Sequence, residues 1–265
     1  MAERKKYMHV CTSPALIDQF EIKGSIVVVI DVLRATTSMC VGFGEGVELI
    51  VPVEHEDECL AYRDKGYLIA GERSGEKIDG FDMGNSPFEF MDPRVKGAKI
   101  AMTTTNGTKA MKAAQAREAK EVVAGAFTNI STLSDWLIEQ NEHICLLCSG
   151  WRDNFTLEDT IFAGAVAQRI RSHFYPYQDT TIMARTLYKS ANSRKRYFFR
   201  ASSHFHRLVH LNLQGDVKFA MHRDKYNVLP LLVGDELHDF AGKKQIKRAK
   251  NAILKTQLKN EEIQK

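Results

Sequence analysis

The sequence predicts an α/β fold: a layered sheet of mostly parallel strands flanked by helices, built as one domain or as two α/β lobes with the site between them. Three observations predict it. Runs of aliphatic and β-branched residues recur, segments of helical composition separate them, and polar turns follow several of the runs. With 265 residues, 44% of them hydrophobic, the chain is long enough to bury a large core.

The elements follow from these runs in chain order. The predicted strands are Tyr7–Cys11, Ser25–Ile30, Leu49–Val53, Tyr67–Ala70, Lys99–Met102, Glu121–Ala126, His143–Cys148 and Val228–Val233. The predicted helices are Thr36–Gly46, His55–Lys65, Thr108–Ala116, Ser131–Gln140, Leu157–His173, Gln178–Ser193 and His204–Leu213. We expect residues 1–240 to form the α/β domain, whether single or two-lobed, and residues 241–265 to form a basic helical tail.

Charge and cysteine usage narrow the functional classes. The tail holds eight lysines or arginines against two glutamates, so the positive net charge of the chain belongs to the tail and the body is near neutral. The tail has no aromatic residue between its cations, so we do not expect it to bind nucleic acid. The five cysteines lack a disulfide spacing, and Cys145 and Cys148 lie in an apolar strand. With no secretory signal and no membrane-spanning run, we expect a cytoplasmic protein.

The strand ends carry the candidate chemistry, because ligands of parallel sheets bind where strands end and helices begin. In "VVVIDVLRATTSM", Asp31 follows five aliphatic residues. Its carboxylate could bind magnesium or attack phosphorus as a nucleophile. Arg34 offers a fork for phosphate, and the hydroxyls of Thr36 and Thr37 could donate to an anion. The alternative is that Asp31 caps the helix and pairs with Arg34.

Two further strand ends have the same character. In "IAMTTTNGTKAM", small hydroxyl residues and Gly107 precede a helix whose first N–H groups suit an anion. In "CLLCSGWRDNFTLEDT", Ser149 ends a strand, and Thr156 is predicted to form a capping box with Asp159. Glu158 and Asp159 could complement the helix dipole, or one of them could reach a metal ion. Both alternatives remain open.

The segment "GERSGEKIDGFDMGNSP", residues 71–87, also follows a strand and is almost wholly polar. We expect it to join the other turns at one sheet edge, because the carboxyl ends of parallel strands meet there. Its charged and amide groups are Glu72, Arg73, Glu76, Lys77, Asp79, Asp82 and Asn85, followed by Ser86.

These motifs together resemble one family. "IDVLRATT", "GERSGEKIDGFDMGNSP", "TTTNGT" and "FTLEDTIFAGA", in this order and spacing, resemble the 2-phosphosulfolactate phosphatase family over residues 8–234. The resemblance implies a magnesium-dependent phosphatase with an α/β fold of its own. It also implies that 2-phospho-3-sulfolactate and water become 3-sulfolactate and phosphate, on the way to coenzyme M.

For this reaction we assign a role to each candidate residue. Catalysis is assigned to Asp31, Arg34 and Asp159, and magnesium to Asp31, Glu72, Glu158 and Asp159. The substrate-binding residues are Thr36, Thr37, Arg73, Lys77, Asn85, Ser86, Thr104, Thr105, Asn106, Gly107, Thr108 and Ser149. Among these, Arg73 or Lys77 would neutralise the sulfonate and the carboxylate.

Other interpretations remain beside this one. The chain could be a magnesium phosphatase for another small phosphorylated hydroxy acid, or a non-catalytic anion-binding protein. His204, His206 and His210 could suggest a metal cluster, but the basic sequence around them favours structural or surface roles. We expect a small phosphorylated sulfonate or carboxylate as the ligand and no membrane partner; a homo-oligomer remains open.

Overall fold

The computed structural model describes residues 6–192, 195–241, 250–255 and 257. It has a mixed α/β fold built on one sheet of eleven strands, which confirms the predicted fold class. Among the described residues, no helix combines the length and apolarity needed to cross a membrane.

The strands follow the apolar runs of the sequence. They are β1 (Tyr7–Cys11), β2 (Ile26–Ile30), β3 (Leu49–Val53), β4 (Leu68–Arg73), β5 (Glu76–Lys77), β6 (Lys99–Thr103), β7 (Glu121–Gly125), β8 (Ile144–Cys148), β9 (Tyr175–Pro176), β10 (Pro230–Val233) and β11 (Glu236–Asp239). Their order across the sheet is β5-β4-β6-β3-β11-β10-β7-β2-β8-β1-β9.

The α-helices lie between and after these strands. They are α1 (Ala35–Gly44), α2 (Glu56–Leu60), α3 (Gly107–Ala116), α4 (Ile130–Gln140), α5 (Leu157–Arg169), α6 (Asp179–Asn192), α7 (Lys195–Ala201), α8 (Ser203–His210) and α9 (Gln214–Ala220). Short 3-10 turns occupy five of the connections.

An antiparallel hairpin joins two parallel groups of strands. β4, β6 and β3 form one group, and β7, β2, β8, β1 and β9 form the other. β10 and β11 lie between them, each paired antiparallel to its neighbours. β2 is central, with a parallel partner on both sides, which is why its sequence is aliphatic without alternation.

The sheet is strongly curved. Five strand spacings separate β6 from β2, which would place them about 24 Å apart in a flat sheet. Yet a Cβ atom built on Gly107, just after β6, would lie 2.9 Å from Oδ2 of Asp31, just after β2. The residues between the end of β6 and Gly107 cover part of that distance, and bending of the sheet must supply the rest.

All eight predicted strands are present, with ends shifted by two residues or fewer except for β4. β4 runs on to Arg73, so the polar segment 71–87 begins inside a strand and not after it. The predicted helix over 157–173 ends at Arg169, and the predicted helix over 55–65 is only a short α-helix followed by a 3-10 turn. β5, β9, β11, α7 and α9 were not predicted.

The predicted basic tail lies mostly outside the described residues. Residues 250–255 are helical, and Gln257 bonds the carbonyl of Val233 and the carboxylate of Glu236. These contacts attach the described part of the tail to the β10–β11 hairpin. The domain boundary at residue 240 stays a prediction.

Candidate active site

Asp31 stands where β2 gives way to α1. It is 6% exposed, and its Oδ1 accepts a hydrogen bond from the amide of Ala35, 3.3 Å away. Within the described part of the chain, no donor bonds its Oδ2. Burial raises the pKa of Asp31 to about 6; Glu72 and Glu158 add to that rise, while His204 opposes it. The carboxyl is thus held rigidly, with one oxygen left for a ligand.

The threonine turn lies directly against Asp31. Gly107 opens α3, and a Cβ there would come within 2.7 Å of Cβ of Ala35 as well as 2.9 Å from Oδ2 of Asp31. Only a glycine permits this approach, which brings the first turn of α3 next to the first turn of α1. The turns after β2 and β6, which we expected at one edge, are therefore adjacent.

Glu72 links two of the polar segments. Its Oε1 accepts from the amide of Thr105 and its Oε2 from the amide of Gly75, each at 2.7 Å. Both oxygens therefore already have protein donors. The side chain, predicted as a magnesium ligand, acts here as a clamp that holds the β4–β5 turn against the threonine turn.

Asp159, like Glu72, accepts hydrogen bonds from neighbouring turns through both carboxylate oxygens. Its Oδ1 accepts from the amide of Val32 at 2.9 Å, and its Oδ2 accepts from the amide of Gly150 and the hydroxyl of Thr156. Burial, together with the charges of Glu158 and Asp31, raises the pKa of Asp159 well above its usual range. The predicted capping box is wrong, since Thr156 donates to the Asp159 side chain and makes no side-chain cap to the backbone.

Glu158 bonds a histidine side chain and, in the part of the chain that the structure describes, no turn amide. Its Oε1 lies 2.7 Å from Nδ1 of His204, and both side chains are buried. Its Oε2 is buried and has no partner among the described residues. His204 therefore has a carboxylate neighbour that is 46 positions away in the sequence, which sequence proximity could not reveal.

Arg34, which was predicted to bind phosphate, is bonded to protein groups instead. Its Nη1 is 2.8 Å from Oδ2 of Asp216, and its Nη2 donates to the carbonyl of Gly75 at 2.6 Å. Asp216 also accepts from the hydroxyl of Ser86 at 2.9 Å. The alternative pairing of Arg34 with Asp31 does not occur. Arg34 instead anchors α9 and the β4–β5 turn to the start of α1.

Several predicted phosphate donors are already bonded to the backbone. The Thr36 hydroxyl donates to the carbonyls of Asp31 and Gly125, and the Thr37 hydroxyl donates to that of Val32. Thr104 and Thr108 bond one another's main chain. These residues shape the two turns. The hydroxyls of Thr36, Thr37 and Thr108 donate to backbone carbonyls, whereas the Thr104 hydroxyl accepts from the amide of Thr108 and donates to no described residue.

Arg73 and Lys77 of segment 71–87 bond other groups, whereas Oδ1 of Asn85 is buried and has no partner among the described residues. Arg73 pairs with Glu56 at 3.0 Å, and Lys77 is exposed and donates to the Asp82 carbonyl. Lys77 and Asn85 line a cavity of about 370 Å³. Arg34 lines the same cavity, and neither Arg73 nor Lys77 makes a described hydrogen bond or ion pair with Asp31.

Buried polar atoms without a described partner lie on the turns after β6 and β8 and on the helices α5 and α8 beside them. Within the described ranges, no partner bonds Oγ1 of Thr105, Oγ of Ser149, Oε2 of Glu158, or Nε and Nη2 of Arg207. Buried polar atoms are nearly always satisfied, so unpaired ones grouped at a strand edge indicate a ligand site. Asn106 belongs to the same region, since its Oδ1 accepts from the amide of Arg152 at 3.3 Å.

Sequence reasoning missed Trp151, Arg152 and Arg207. The guanidinium carbons of Arg207 and Arg152 lie 3.4 Å and 5.5 Å from the centre of the Trp151 ring. The "GWRDN" turn carried a usable signal, a Trp-Arg pair directly after a strand end. Arg207 lies 55 residues beyond Arg152, and only the tertiary fold places it there.

Free carboxylate oxygens determine where a metal ion could bind. No three His, Cys, Asp or Glu side chains of the described residues are arranged to hold a metal by themselves. Magnesium commonly needs only one or two carboxylates, with water and phosphate oxygens completing its shell. Oδ2 of Asp31 and the buried Oε2 of Glu158 fit that requirement and accept no hydrogen bond from the described residues. Each carboxylate oxygen of Glu72 and Asp159 already accepts from a protein donor, and the prediction that these two residues bind magnesium stays a prediction.

Comparison with known proteins identifies a family. The model of the 2-phosphosulpholactate phosphatase family matches residues 11–235, from the end of β1 to the turn of the β10–β11 hairpin. That span contains every turn described above. The resemblance seen in the sequence motifs is confirmed.

Individual relatives agree. A probable 2-phosphosulfolactate phosphatase of Thermotoga petrophila is 36% identical over 206 residues, covering 78% of this chain and 88% of that protein. One from Caldanaerobacter subterraneus subsp. tengcongensis is 33% identical over 222 residues, covering 82% and 91%. One from Cyanothece sp. is 34% identical over 215 residues, covering 77% and 87%.

Proposed function

The chain belongs to the 2-phosphosulfolactate phosphatase family, and we propose that it hydrolyses 2-phospho-3-sulfolactate to 3-sulfolactate and phosphate with magnesium as cofactor. We place the reaction in the cytoplasm, as a step toward coenzyme M. One observation carries the chemical part of the proposal. The turns after β2, β6 and β8 converge on a buried aspartate, and one of its oxygens and the hydroxyls beside it have no partner among the described residues.

The residues suit a phosphate monoester. The ester is a dianion near neutral pH, and its spontaneous hydrolysis is so slow that the site must lower the barrier by on the order of 20 kcal/mol. Most of that reduction comes from donors and positive charge fixed around the transferring group. Thr105 and Ser149 would donate their hydroxyls to phosphoryl oxygens, and the amides of Asn106 and Gly107 at the start of α3 would add two N–H donors.

Asp31 is the residue placed to act on phosphorus. In the reaction the ester P–O bond breaks, the ester oxygen leaves and takes a proton to become the hydroxyl of 3-sulfolactate, and an oxygen from water ends on phosphate. Asp31 either attacks phosphorus itself, forming an aspartyl phosphate that water then cleaves, or orients the water that attacks. Both routes need a rigid carboxylate, which burial and the Ala35 hydrogen bond provide.

Asp31 and Glu158 would hold the magnesium ion through their free oxygens. When bound, the ion supplies positive charge that neutralises phosphoryl oxygens. Glu72 and Asp159 keep their hydrogen bonds to the turns and so fix the positions of the donors. In this assignment they are positioning residues and not ligands.

Phosphate release from 2-phospho-3-sulfolactate tests the proposal. We expect release by the purified protein with magnesium and none when a chelator is in excess. Tight binding of phosphate or the substrate without turnover would support an anion-binding protein instead. Equal rates with 2-phospholactate, which lacks the sulfonate, would support a phosphatase of other hydroxy acids. A single-turnover quench that traps phosphate on the protein would support the covalent route, and its absence would favour direct attack by water.

A further inference from the structure

Arg207 presents a buried cationic edge that has no acceptor within the described part of the chain. It lies on α8, one turn after His204, and its guanidinium carbon is 3.4 Å from the centre of the Trp151 ring. Its Nε and Nη2 are buried, and no described residue accepts a hydrogen bond from either. A charged donor buried without an acceptor is strongly unfavourable. An acceptor from a bound ligand would satisfy both nitrogens at once.

The two free nitrogens define the kind of ligand. Nε and Nη2 lie along one edge of the guanidinium, and this edge binds two oxygens of an oxyacid side by side. Stacking on Trp151 fixes the plane of the group, so the edge is oriented before any ligand arrives. A sulfonate or a carboxylate has the two adjacent oxygens that such an edge requires.

The surroundings connect this edge to the active site. His204, on the same helix, bonds Glu158. The Trp151 turn is tied to the threonine turn through the amide of Arg152 and Oδ1 of Asn106. Arg152 adds a second cation beside the same ring, at 5.5 Å. Burial lowers the pKa of Arg207, and the nearby charge of Glu158 opposes this shift.

We propose that the Nε–Nη2 edge of Arg207 binds the sulfonate of the substrate, while the phosphoryl group lies against Asp31, Thr105 and Ser149. This inference rests on the proposed function and specifies which residue recognises the sulfonate of the substrate. The sulfonate is carried on a methylene, so it reaches one bond further from the ester carbon than the carboxylate does. Arg207 stacks on Trp151, beyond the end of β8, and not on the turns after β2 and β6 that face the phosphoryl group, so we assign to it the more distant sulfonate.

The assignment also replaces an earlier expectation. The sequence predicts that Arg73 or Lys77 neutralises the acid groups, but Arg73 pairs with Glu56, and Lys77 donates to a carbonyl at the surface. Arg207 has no such competing partner among the described residues. It is therefore the specificity-determining cation of the site.

Three phosphate esters separate the possible roles of Arg207. They are 2-phospho-3-sulfolactate, 2-phospholactate, which lacks the sulfonate, and 2-phosphooxyethanesulfonate, which lacks the carboxylate. For Arg207→Met we expect kcat/KM to fall by about 100-fold on the two sulfonates and by less than about 3-fold on 2-phospholactate, since truncating one partner of a buried charge pair has effects of this size. Arg207→Lys, which keeps the charge but loses the fork, should recover only part of that loss.

Matched controls keep the outcome interpretable. Arg223→Met removes another arginine that lies near aromatic rings, Phe127 and Tyr188, and should leave all three rates unchanged. The Ki of 3-sulfolactate as a product inhibitor should rise in Arg207→Met together with the loss of rate. If Arg207→Met does not fold, the same comparison is made with Arg207→Lys.

Equal losses on all three esters, a loss that follows the carboxylate, or no loss at all would overturn the assignment of the sulfonate to Arg207. Each of those results leaves wild-type turnover of 2-phospho-3-sulfolactate intact. A wild-type protein that releases no phosphate from this ester would instead refute the proposed function.

Discussion

Asp31 combines a catalytic position with an unfavourable environment. Its carboxyl is buried and close to Glu72 and Glu158, and its pKa is raised to about 6. Above that pH the folded state must hold a charge that the unfolded chain exposes to water. The ionised Asp31 carboxylate therefore destabilises the folded state near pH 8 when no magnesium is bound.

Asp31→Asn should accordingly stabilise the protein in the presence of a chelator. The amide oxygen can still accept from Ala35, while the buried charge disappears. We expect the free energy of unfolding at pH 8 to rise by about 1–2 kcal/mol, measured by urea denaturation. A variant less stable than the wild type under these conditions would contradict the account of the buried charge.

His9 is a second buried titratable group, remote from the chemistry. Neither ring nitrogen has a partner among the described residues, and Tyr7, Phe20 and Tyr177 surround the ring. Burial lowers its pKa below the ordinary value, His143 adds to this, and Glu21 opposes it. The unfolded chain therefore takes up a proton at a pH where the folded chain does not.

This difference predicts a pH dependence of stability. The contribution of His9 is present above about pH 6.5 and is lost as the pH falls below it toward the folded pKa. His9→Phe keeps an aromatic ring in the site and removes the titration. We expect the melting temperature of the wild type to drop more between pH 7.5 and 5.5 than that of His9→Phe. Parallel curves would contradict this assignment.

At the residue scale, the sequence identified positions better than roles. Thr105 and Ser149 lie at the site with polar atoms that have no partner among the described residues, and Asp31 lies there with one oxygen bonded to Ala35, as their strand-end positions suggested. Thr36 and Thr37 lie there too, but their hydroxyls bond carbonyls of the same turn. Spacing along the chain cannot tell a hydroxyl that faces a ligand from one that faces the backbone.

At the scale of elements, the turns are held together by a few clamps. Arg34 and Asp216 form a buried ion pair that fixes α9 to the start of α1, and their exposed fractions are 4% and 3%. Neither could be paired from sequence, since 182 positions separate them and α9 was not predicted. Buried ion pairs are costly to break because one charge is left alone.

Asp216→Ala should destabilise the fold by about 3–5 kcal/mol, since Arg34 would remain buried without its carboxylate. The double variant Arg34→Met/Asp216→Leu should recover most of that loss, because it removes both charges. Urea denaturation of the two variants and the wild type measures the difference. A double variant as unstable as the single one would show that the ion pair is not the cause.

The Trp151 turn depends on one glycine. Gly150 has a φ of +65°, and a Cβ there would lie 2.4 Å from the carbonyl oxygen of Asn154. Gly24 has a similar φ of +75° but open space around it, so it serves as a matched control.

Gly150→Ala should cost at least about 2 kcal/mol of stability and reduce phosphatase activity, because the turn that carries Trp151 must move. Gly24→Ala should cost only about 1 kcal/mol, through backbone strain, and leave activity unchanged. Thermal unfolding and phosphate release measure both effects. Equal effects of the two substitutions would contradict the steric argument.

Strands buried on both faces were predicted more reliably than short strands. The aliphatic runs of β2 and β8 reflect burial on both faces, which leaves a clear sequence signal. β5, β9 and β11 have two to four residues each and owe their pairing to neighbouring strands. Tertiary contacts, and not local composition, decide elements of that length.

At the scale of the whole molecule, the hairpin determines where chemistry can occur. β10 and β11 join the two parallel groups, and the curvature across them brings the end of β6 to the end of β2. Lys250, in the described part of the tail, donates to the carboxylate of Glu121 at the start of β7. This part of the tail therefore contacts the amino end of β7, away from the carboxyl ends that form the site. The sequence predicted a shared edge, but it could not predict the hairpin between the groups or the curvature.

The most direct measurement is magnesium-dependent phosphate release from 2-phospho-3-sulfolactate by Asp31→Asn. The account predicts a rate at least about 1,000-fold below the wild type with the fold retained, because the carboxylate on which the turns converge acts at phosphorus or holds the metal. Asp64→Asn, on an exposed turn, should match the wild type. An Asp31→Asn rate within about 3-fold of the wild type would contradict the central claim that these turns form one phosphatase site.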